Sequence, residues 1–167
     1  MPANLPQFYQ KPILLNRDDH AGMTVSPSPG GLTFAVQAQT VPLAIVEFMD
    51  AGRQMPIIFI QTSDDRIVPL ALLGLEQGEN LFVDANGNWD GHYVPAYIRR
   101  YPFITVEQEG QTAVCFDEAF DGFNLPGGTA LFENDEPTAK NREIIAFLED
   151  FNNQMKQSEQ LGAMLAQ

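Results

Sequence analysis

The sequence predicts an α+β fold, a mostly antiparallel sheet with packed helices and a long C-terminal helix. Two hairpin signals support the sheet: the turn Asn86-Gly87, and the apolar runs 103–107 and 112–116 joined across Glu109-Gly110. Strands outnumber helices, and strands joined by hairpins pair antiparallel, which is typical of this class. The long helix is predicted over 138–167, where one face carries Ile144, Leu148, Phe151 and Met155.

The first residues are predicted to form an irregular lead-in. Prolines recur through residues 1–32 and a Gly-Gly pair closes the segment, and both residue types interrupt regular structure. Within it, 11–15 is typical of an edge strand, where Pro12 is tolerated because an edge needs no second row of hydrogen bonds. The apolar run 32–36 that follows is predicted to be a strand.

The next segments predict one helix and two strands. A helix is predicted over 40–49, where Pro42 suits the first turn. The continuous apolar run 55–60 is typical of a central strand that is buried on both faces. The run 67–75 is predicted to be the next strand, with Pro69 marking a bulge or a sheet edge.

The following segments complete the predicted elements. Residues 80–84 are predicted to form a strand that leads into the Asn-Gly turn. A short helix is predicted after Pro95, and Pro102 ends it. Residues 117–136 are predicted to form an acidic, solvated loop that interleaved phenylalanines hold against the core.

The length of 167 residues predicts a single domain. With 44% hydrophobic residues, the chain can build a core, and a domain of this size buries roughly 68–70% of its unfolded surface. We expect the domain to consist of the lead-in 1–32, an α+β body over 33–136 and the C-terminal helix 137–167.

Charge is the strongest signal in the composition. Nine Lys and Arg residues against 22 Asp and Glu residues give a formal net charge of −13, and the basic doublet is Arg99-Arg100. Phosphate backbones and anionic lipid are bound by clustered cations. We therefore expect no nucleic-acid binding, and the acidity favours either solubility or attraction to cations or a basic partner.

The apolar runs and the single cysteine bear on location. The chain does not begin with a charged segment and an apolar stretch, so no secretory signal is expected. No run approaches the roughly 20 apolar residues of a membrane helix. Cys115 lies in a short apolar run, which predicts a buried and unreactive thiol. We expect a cytoplasmic protein that is not membrane-inserted, and association with the cell surface by a signal-independent route stays open.

Three stretches, taken together, resemble the SapC-like family of bacterial proteins, and the resemblance covers nearly the whole chain. They are Tyr9-Gln10-Lys11-Pro12 near the N-terminus, Val41-Pro42-Leu43 with Val46-Glu47-Phe48, and the segment from Trp89-Asp90-Gly91 through Tyr93-Val94-Pro95-Ala96-Tyr97 to Arg99-Arg100-Tyr101-Pro102-Phe103.

The resemblance implies an association with the bacterial surface layer, and it supplies no catalytic residues. Members of the family continue beyond the long helix into a further β-containing segment. The resemblance therefore implies a short or truncated member that lacks the family's C-terminal segment.

Residues 84–91 have the alternating oxygen ligands of a calcium loop, which are Asp84, Asn86, Asn88 and Asp90. Trp89 replaces the glycine that such a loop needs after the third ligand, and Pro95 stands where a bidentate glutamate would close it. Asn, Asp and Gly also tolerate the positive φ of a tight turn. We therefore predict a hairpin turn, with no metal and no cofactor.

The best candidate for a ligand site is an aromatic and cationic cluster made of His92, Tyr93, Tyr97, Arg99 and Arg100. A guanidinium beside aromatic rings can bind a carboxylate and stack on a ring, which suits an acidic peptide or a small acid. An internal salt bridge to one of the acids is the alternative for each arginine. No nucleophile elbow, P-loop or dinucleotide-binding glycine motif occurs.

These observations favour a non-enzymatic binding or assembly module of the SapC-like family. An enzyme or maturation accessory factor that uses the cluster around residues 92–101 is the alternative. The expected partner is a protein, an acidic peptide or a small acid. Apolar residues extend to the end of the long helix, so we also predict a homodimer through residues 138–167.

Overall fold

The computed structural model describes residues 5–108 and 110–165. The helices are α1 (Arg17–His20), α2 (Phe48–Ala51), α3 (Ala96–Arg99) and α4 (Ala139–Leu165), with 3-10 helices at Thr33–Ala35 and Ile45–Glu47. The strands pair antiparallel, which confirms the α+β class. In chain order they are β1 (Pro12–Leu14), β2 (Thr24–Val25), β3 (Thr40–Pro42), β4 (Ile57–Gln61), β5 (Ile67–Leu72), β6 (Phe103–Gln108), β7 (Gln111–Asp117), β8 (Thr129–Ala130), β9 (Phe132–Glu133) and β10 (Glu136–Pro137).

The chain divides into two compact units, and each is built from segments that are far apart in the sequence. The first unit takes residues 1–30 and 100–149, and the second takes residues 31–99 and 150–167. α4 therefore contributes its first part to one unit and its second part to the other. The three-part division expected from the sequence stays a prediction.

The first unit is built on the three-stranded sheet β1-β7-β6. The predicted hairpin is confirmed, because β6 pairs with β7 from Phe103 opposite Phe116 onwards, and Gly110 supplies a φ of 77° to the connection. β1 pairs with the other side of β7 and lies at an edge of the sheet, as the proline in it predicts.

The core of the first unit is a cluster of buried apolar side chains from strands, loops and α4. Fully burying such a side chain stabilises the fold by about 1.5–3 kcal/mol. The predicted burial of Cys115 is confirmed, and this burial raises the pKa of its thiol. The buried members of the main cluster are Met23, Phe103, Phe116, Leu131 and Leu148.

The second unit is built on the three-stranded sheet β3-β5-β4, in which β5 is central. The prediction that 55–60 forms a central strand buried on both faces is wrong, because β4 lies at the edge and Phe59 and Ile60 are 48% and 40% exposed. A continuous apolar run is compatible with either position. The strand order was decided by pairing between segments, which the run itself does not encode.

Pro69 can occupy the central strand because of its place in the hydrogen-bond ladder. The amide of Leu72 donates to the carbonyl of Pro56 at 2.9 Å, and bonded pairs alternate with non-bonded pairs along an antiparallel ladder. Pro69, opposite Phe59, therefore stands in a non-bonded pair. On its other side β3 has ended, and the Pro69 carbonyl accepts from Leu43 at 3.1 Å. β5 is unbroken and central in the strand order, so the bulge or edge strand predicted at this proline is wrong, and Pro69 itself lies where β3 no longer pairs.

Two elements at the start of the second unit also differ from the sequence prediction. Residues 32–36, predicted as a strand, contain the 3-10 helix Thr33–Ala35. The predicted helix over 40–49 is instead β3, followed by a 3-10 helix and the short α2. Val41 is fully buried in β3 opposite Ala71, so pairing and burial outweigh the local helix signal of the proline.

The Asn-Gly turn is present, although the strand predicted over 80–84 is not. Val83 and Trp89 form an isolated bridge, and the amide of Asp84 donates to the carbonyl of Asn88 at 2.9 Å. Gly87 has a φ of 78°, the conformation that glycine adopts without strain. The predicted hairpin turn is therefore confirmed, with a single bridge in place of two paired strands.

α4 confirms the predicted C-terminal helix, and its apolar stripe faces the interior of the chain. Ile144 and Leu148 belong to the core of the first unit. In the second unit, Phe151 is 3% exposed and its ring lies 6.4 Å from the ring of Tyr97. The homodimer through residues 138–167 stays a prediction, and the stripe is used to cover the chain's own core.

In the second unit, α4 approaches β5 very closely at Gly162. A Cβ atom at Gly162 would lie 2.0 Å from the carbonyl oxygen of Ile67. One turn earlier, the buried Ser158 hydroxyl accepts from the amide of Ile45 and donates to the carbonyl of Gln154, both at 2.9 Å. The helix is therefore fixed at this point by hydrogen bonds to backbone and by the absence of a side chain.

We predict that Gly162→Ala destabilises the protein, although alanine is ordinarily the better helix former by about 1 kcal/mol. The added methyl collides with a backbone oxygen, and such overpacking costs roughly 1–3 kcal/mol. Urea unfolding of the variant and the parent measures the difference. Ala163→Gly, at an exposed neighbour, is the control and carries only the propensity cost. A Gly162→Ala variant that is more stable than the parent would contradict the close approach.

Candidate functional site

The carboxylate of Glu47 lies inside the second unit and is only 3% exposed. One oxygen, Oε2, accepts from the amide of Ala44 at 2.8 Å. The other, Oε1, accepts from the amide of Ala96 at 2.7 Å and from the hydroxyl of Tyr93 at 2.8 Å. Three donors thus replace the water that the charge has lost, which is the condition for burying a carboxylate. Glu47 thereby joins the segment before α2 to the first residue of α3.

Tyr93 stands between this carboxylate and an arginine. Arg99 donates through Nη2 to the Tyr93 hydroxyl at 3.3 Å and through Nε to the carbonyl of Val94 at 2.9 Å. The guanidinium carbon lies 5.6 Å from the centre of the Tyr93 ring, a cation–π distance. Burial, then the hydrogen bond and charge of Glu47, raise the pKa of Tyr93 to about 12. The hydroxyl is therefore a proton donor at neutral pH.

Gln54 fixes the loop that carries His92 and Tyr93. Its side-chain oxygen accepts from the amide of His92 at 2.7 Å, and its side-chain nitrogen donates to the carbonyl of Tyr93 at 3.0 Å. Gly91 is close to the same oxygen, because a Cβ there would approach Gln54 Oε1 to 2.7 Å. One amide side chain therefore holds this loop against the end of α2.

Gln54, His92 and Tyr93 line a cavity of about 400 Å³ in the second unit. Its lining combines two basic side chains, one acid, one amide and one phenol, which are Asp50, Arg53, Gln54, His92 and Tyr93. The nearest oxygen of Asp50 is 3.7 Å from Arg53 Nη1, and the two side chains are 57% and 74% exposed. An exposed pair at this distance is worth little. Arg53 therefore brings a cation to the cavity with only a weak internal partner.

The structure brings some of the predicted site residues together and separates others. His92 and Tyr93 line the cavity, and Arg99 stacks on Tyr93. Tyr97 is 8% exposed and packs inside the second unit. Arg100 belongs to the first unit, where it is 9% exposed and lies 5.7 Å from the ring of Tyr9. A ligand-binding role for these five residues stays a prediction.

Four residues of this site, Glu47, Asp50, Arg53 and Gln54, are not among those that the sequence predicted. Glu47 lay within a segment predicted to be a regular helix, where an acid is ordinarily solvated. Arg53 and Gln54 follow the end of α2 and carry no motif. A mixed cluster of polar residues directly after a helix was the only available signal, and it does not distinguish a cavity lining from an ordinary connection.

The first unit also contains a buried carboxylate, Asp117, which is fully buried at the end of β7. It accepts from the amides of Gln10 and Lys11 at 2.9 and 2.7 Å and from the hydroxyl of Tyr101 at 3.2 Å. Burial and the Asp117 charge raise the pKa of Tyr101. The prediction of a solvated acidic loop starting at 117 is therefore wrong at its first residue, and the segment also contains the short strands β8, β9 and β10.

A second cavity, of about 430 Å³, lies in the first unit. His20 contributes to its lining, and the imidazole meets the ring of Phe116 edge-on at 5.0 Å. Nδ1 of His20 lies 3.0 Å from the carbonyl of Asn16. The carboxylates in this lining are Asp19 and Glu118, and Glu118 forms an ion pair with Lys11.

The residues that are spaced like calcium ligands form a turn, and the carboxylate of Asp84 accepts hydrogen bonds from within this turn. One Asp84 oxygen accepts from the amides of Asn86 and Asn88, both at 2.8 Å, and the other accepts from the Asn88 side chain at 3.0 Å. The Asn88 side chain is the first cause that lowers the pKa of Asp84. The amide of Asp90 donates to Phe82 at 2.7 Å. Across residues 5–108 and 110–165, no group of three or more His, Cys, Asp and Glu side chains could hold a metal ion.

Comparison with known proteins gives one match. A family model described as SapC matches residues 15–167. No curated protein and no solved structure matches the chain. Among the helices of the described part of the chain, none combines the length and the apolar character that crossing a bilayer demands.

We predict that Glu47→Gln lowers the free energy of unfolding by about 1–3 kcal/mol, the cost of an unsatisfied buried group. The amide keeps one acceptor oxygen and turns an NH₂ group toward a donor that had been satisfied. Chemical denaturation of the two proteins measures the loss. Glu76→Gln, the same change at an exposed position, is the control and should fall within about 0.5 kcal/mol of the parent. Equal stability of the two variants would show that the Glu47 carboxylate is not needed.

We also predict that Tyr93 makes stability depend on alkaline pH. Its pKa is raised from 10.0 to about 12, so the folded state holds the phenol proton more tightly than the unfolded state. This contribution is complete below pH 10 and is lost as the pH rises through about 12. Unfolding of the parent and of Tyr93→Phe at several pH values measures it, and the parent should lose more stability over this interval. Parallel curves would contradict the hydrogen bond from Tyr93 to Glu47.

Proposed function

Because the chain belongs to the SapC family, we propose that it is a non-enzymatic binding module and that its cavity in the second unit takes a carboxylate. The ligand class is an acidic peptide or a small organic acid. We include in this proposal the association with the bacterial surface layer that the family resemblance implies. The observation that carries the proposal is Arg53, an exposed cation at a cavity wall with a loose 3.7 Å contact to Asp50.

The chemistry of the lining supports a carboxylate ligand. The guanidinium of Arg53 presents paired N–H donors that match the two oxygens of a carboxylate. His92 adds an imidazole to the same wall. The Tyr93 hydroxyl is already used by Glu47 and Arg99, so Tyr93 offers its ring as an apolar surface for the carbon skeleton of the ligand.

The surrounding structure supports binding without rearrangement. Gln54 holds the His92–Tyr93 loop through two hydrogen bonds, and Glu47 holds Tyr93 from inside. A lining that is fixed before the ligand arrives loses little conformational entropy on binding. A ligand carboxylate would exchange places with Asp50 at the guanidinium, which is an inexpensive exchange because the existing pair is exposed and long.

The groups near the cavity favour binding over chemistry. Tyr93 has a raised pKa and donates its proton to a carboxylate, so it is not poised as a base. Cys115 belongs to the other unit, is buried, and has a raised thiol pKa. A nucleophile next to a base is the minimum for covalent catalysis, and the described lining of this cavity offers His92 as a base but no serine, threonine or cysteine nucleophile.

We predict that the protein binds succinate or a short glutamate-rich peptide and that Arg53→Gln weakens this binding. A hydrogen bond to a charged group contributes about 1.5–3 kcal/mol, so the dissociation constant should rise about tenfold or more. Isothermal titration calorimetry measures both proteins, and succinamide serves as the uncharged ligand control.

The matched control variant is Arg17→Gln, which removes an exposed arginine from α1 in the first unit and changes the net charge equally. It should bind like the parent. If both variants weaken binding to the same extent, the effect is one of overall charge and the assigned cavity is wrong. Equal affinity of the parent for succinate and succinamide would also contradict a carboxylate site.

A further inference from the structure

β4 is an edge strand that lacks the usual protection of sheet edges. Natural edges carry charges, prolines or bulges that prevent pairing with another chain. β4 instead has the sequence Ile-Ile-Phe-Ile-Gln, and Phe59 and Ile60 expose 48% and 40% of their surface on opposite faces. An exposed, regular and apolar edge of this kind is a template for a further strand.

The hydrogen-bond ladder shows which backbone groups of β4 face outward. Leu72 donates to Pro56 at 2.9 Å, and Thr62 donates to the carbonyl of Arg66 at 2.8 Å. Positions 56 and 62 therefore both bond toward β5, and by alternation so do 58 and 60. The amides and carbonyls of 57, 59 and 61 point to the open edge. In the part of the chain that the structure describes, these groups bond to no other segment.

The charge pattern along β4 fits a second copy of the same strand. No ionisable side chain occurs from 54 to 63, in a chain whose net charge is −13. Arg53 stands four residues before β4, and Asp65 stands four residues after it. Antiparallel self-pairing sets the start of one strand beside the end of the other. It therefore places no like charges opposite each other, and it brings the cation of each copy toward the acid of its partner.

We propose that β4 pairs antiparallel with β4 of a second copy, with Phe59 on the two-fold axis. Phe59 then lies opposite Phe59 of the second copy, and Ile57 lies opposite Gln61 of the second copy. All three positions present outward amides and carbonyls, so each pair exchanges both of its N–H···O bonds. The two three-stranded sheets become one continuous sheet. The symmetry is isologous and closed, so the product is a dimer and not a fibre.

The first experiment measures mass by analytical ultracentrifugation over a wide range of protein concentration. The parent should show a concentration-dependent dimer. Phe59→Lys places two like charges opposite each other on the axis, so its dimer dissociation constant should rise at least about tenfold. Leu75→Lys, the same change at a residue that is 78% exposed in the same unit, should leave the dimer unchanged. Far-ultraviolet circular dichroism establishes that both variants are folded.

The second experiment keeps the proposal testable if the lysine variant does not fold. Phe59→Cys should form a disulfide-linked dimer under mild oxidation, because residues in a bonded pair lie about 5.5 Å apart at Cα, within disulfide range. Leu75→Cys is the control, and the native Cys115 is buried. A parent that is monomeric at every concentration overturns the proposal. So does a dimer that survives Phe59→Lys, or one that depends only on residues 156–167.

Discussion

The burial of a carboxylate is the constraint that organises each unit of this protein. A charge inside a protein must be surrounded by donors, and Glu47 and Asp117 each obtain backbone amides and one tyrosine hydroxyl. In both cases two of the donors come from a segment distant in sequence. Glu47 draws α3 to the start of α2, and Asp117 draws the N-terminal segment to the end of β7. The local conformation of several connections is thus set by one acid in each unit.

The arrangement around Glu47 also decides the chemistry of the neighbouring cavity. Because the Tyr93 hydroxyl is committed to Glu47, the phenol is positioned and its proton is retained at neutral pH. Arg99 is engaged with Tyr93 and Val94. Arg53, which follows α2, has only an exposed and long contact to Asp50. It is therefore the arginine of the cavity lining that is available to a ligand, although no sequence motif marks it. The buried Glu47 carboxylate thus positions Tyr93 in the cavity wall, and the exposed Arg53 supplies the positive charge.

Elements that depend on local signals were predicted correctly from the sequence. Elements whose position depends on pairing between distant segments were not. The β6–β7 hairpin, the edge position of β1, the turn at Gly87, the helix after Pro95 and α4 follow from turn residues, prolines and helical periodicity. The order of β4 and β5 does not follow from such signals. Pro69 is tolerated in the central strand because it stands in a non-hydrogen-bonded pair and because β3 has ended beside it. The burial of Glu47 and Asp117 could not be predicted either, since an acidic residue is expected to be solvated unless the donors that surround it are known. Of the candidate site, His92, Tyr93 and Arg99 were found through their aromatic and cationic character, whereas Arg53 and Gln54 needed the cavity.

The discontinuity of both units has a consequence for synthesis on the ribosome. β1 pairs with Asp117, Phe116 and Cys115, so the first strand emerges long before its partner exists. At about 5–20 residues per second, the interval of roughly a hundred residues lasts about 5–20 seconds. The second unit is discontinuous in the same way, because residues 31–99 are synthesised well before residues 150–167, which complete it. Neither unit can be completed before its second segment has been synthesised, and contacts of such high sequence separation favour slow folding. Throughout that interval the nascent chain carries an unpaired strand, the kind of surface that chaperones in general protect from aggregation.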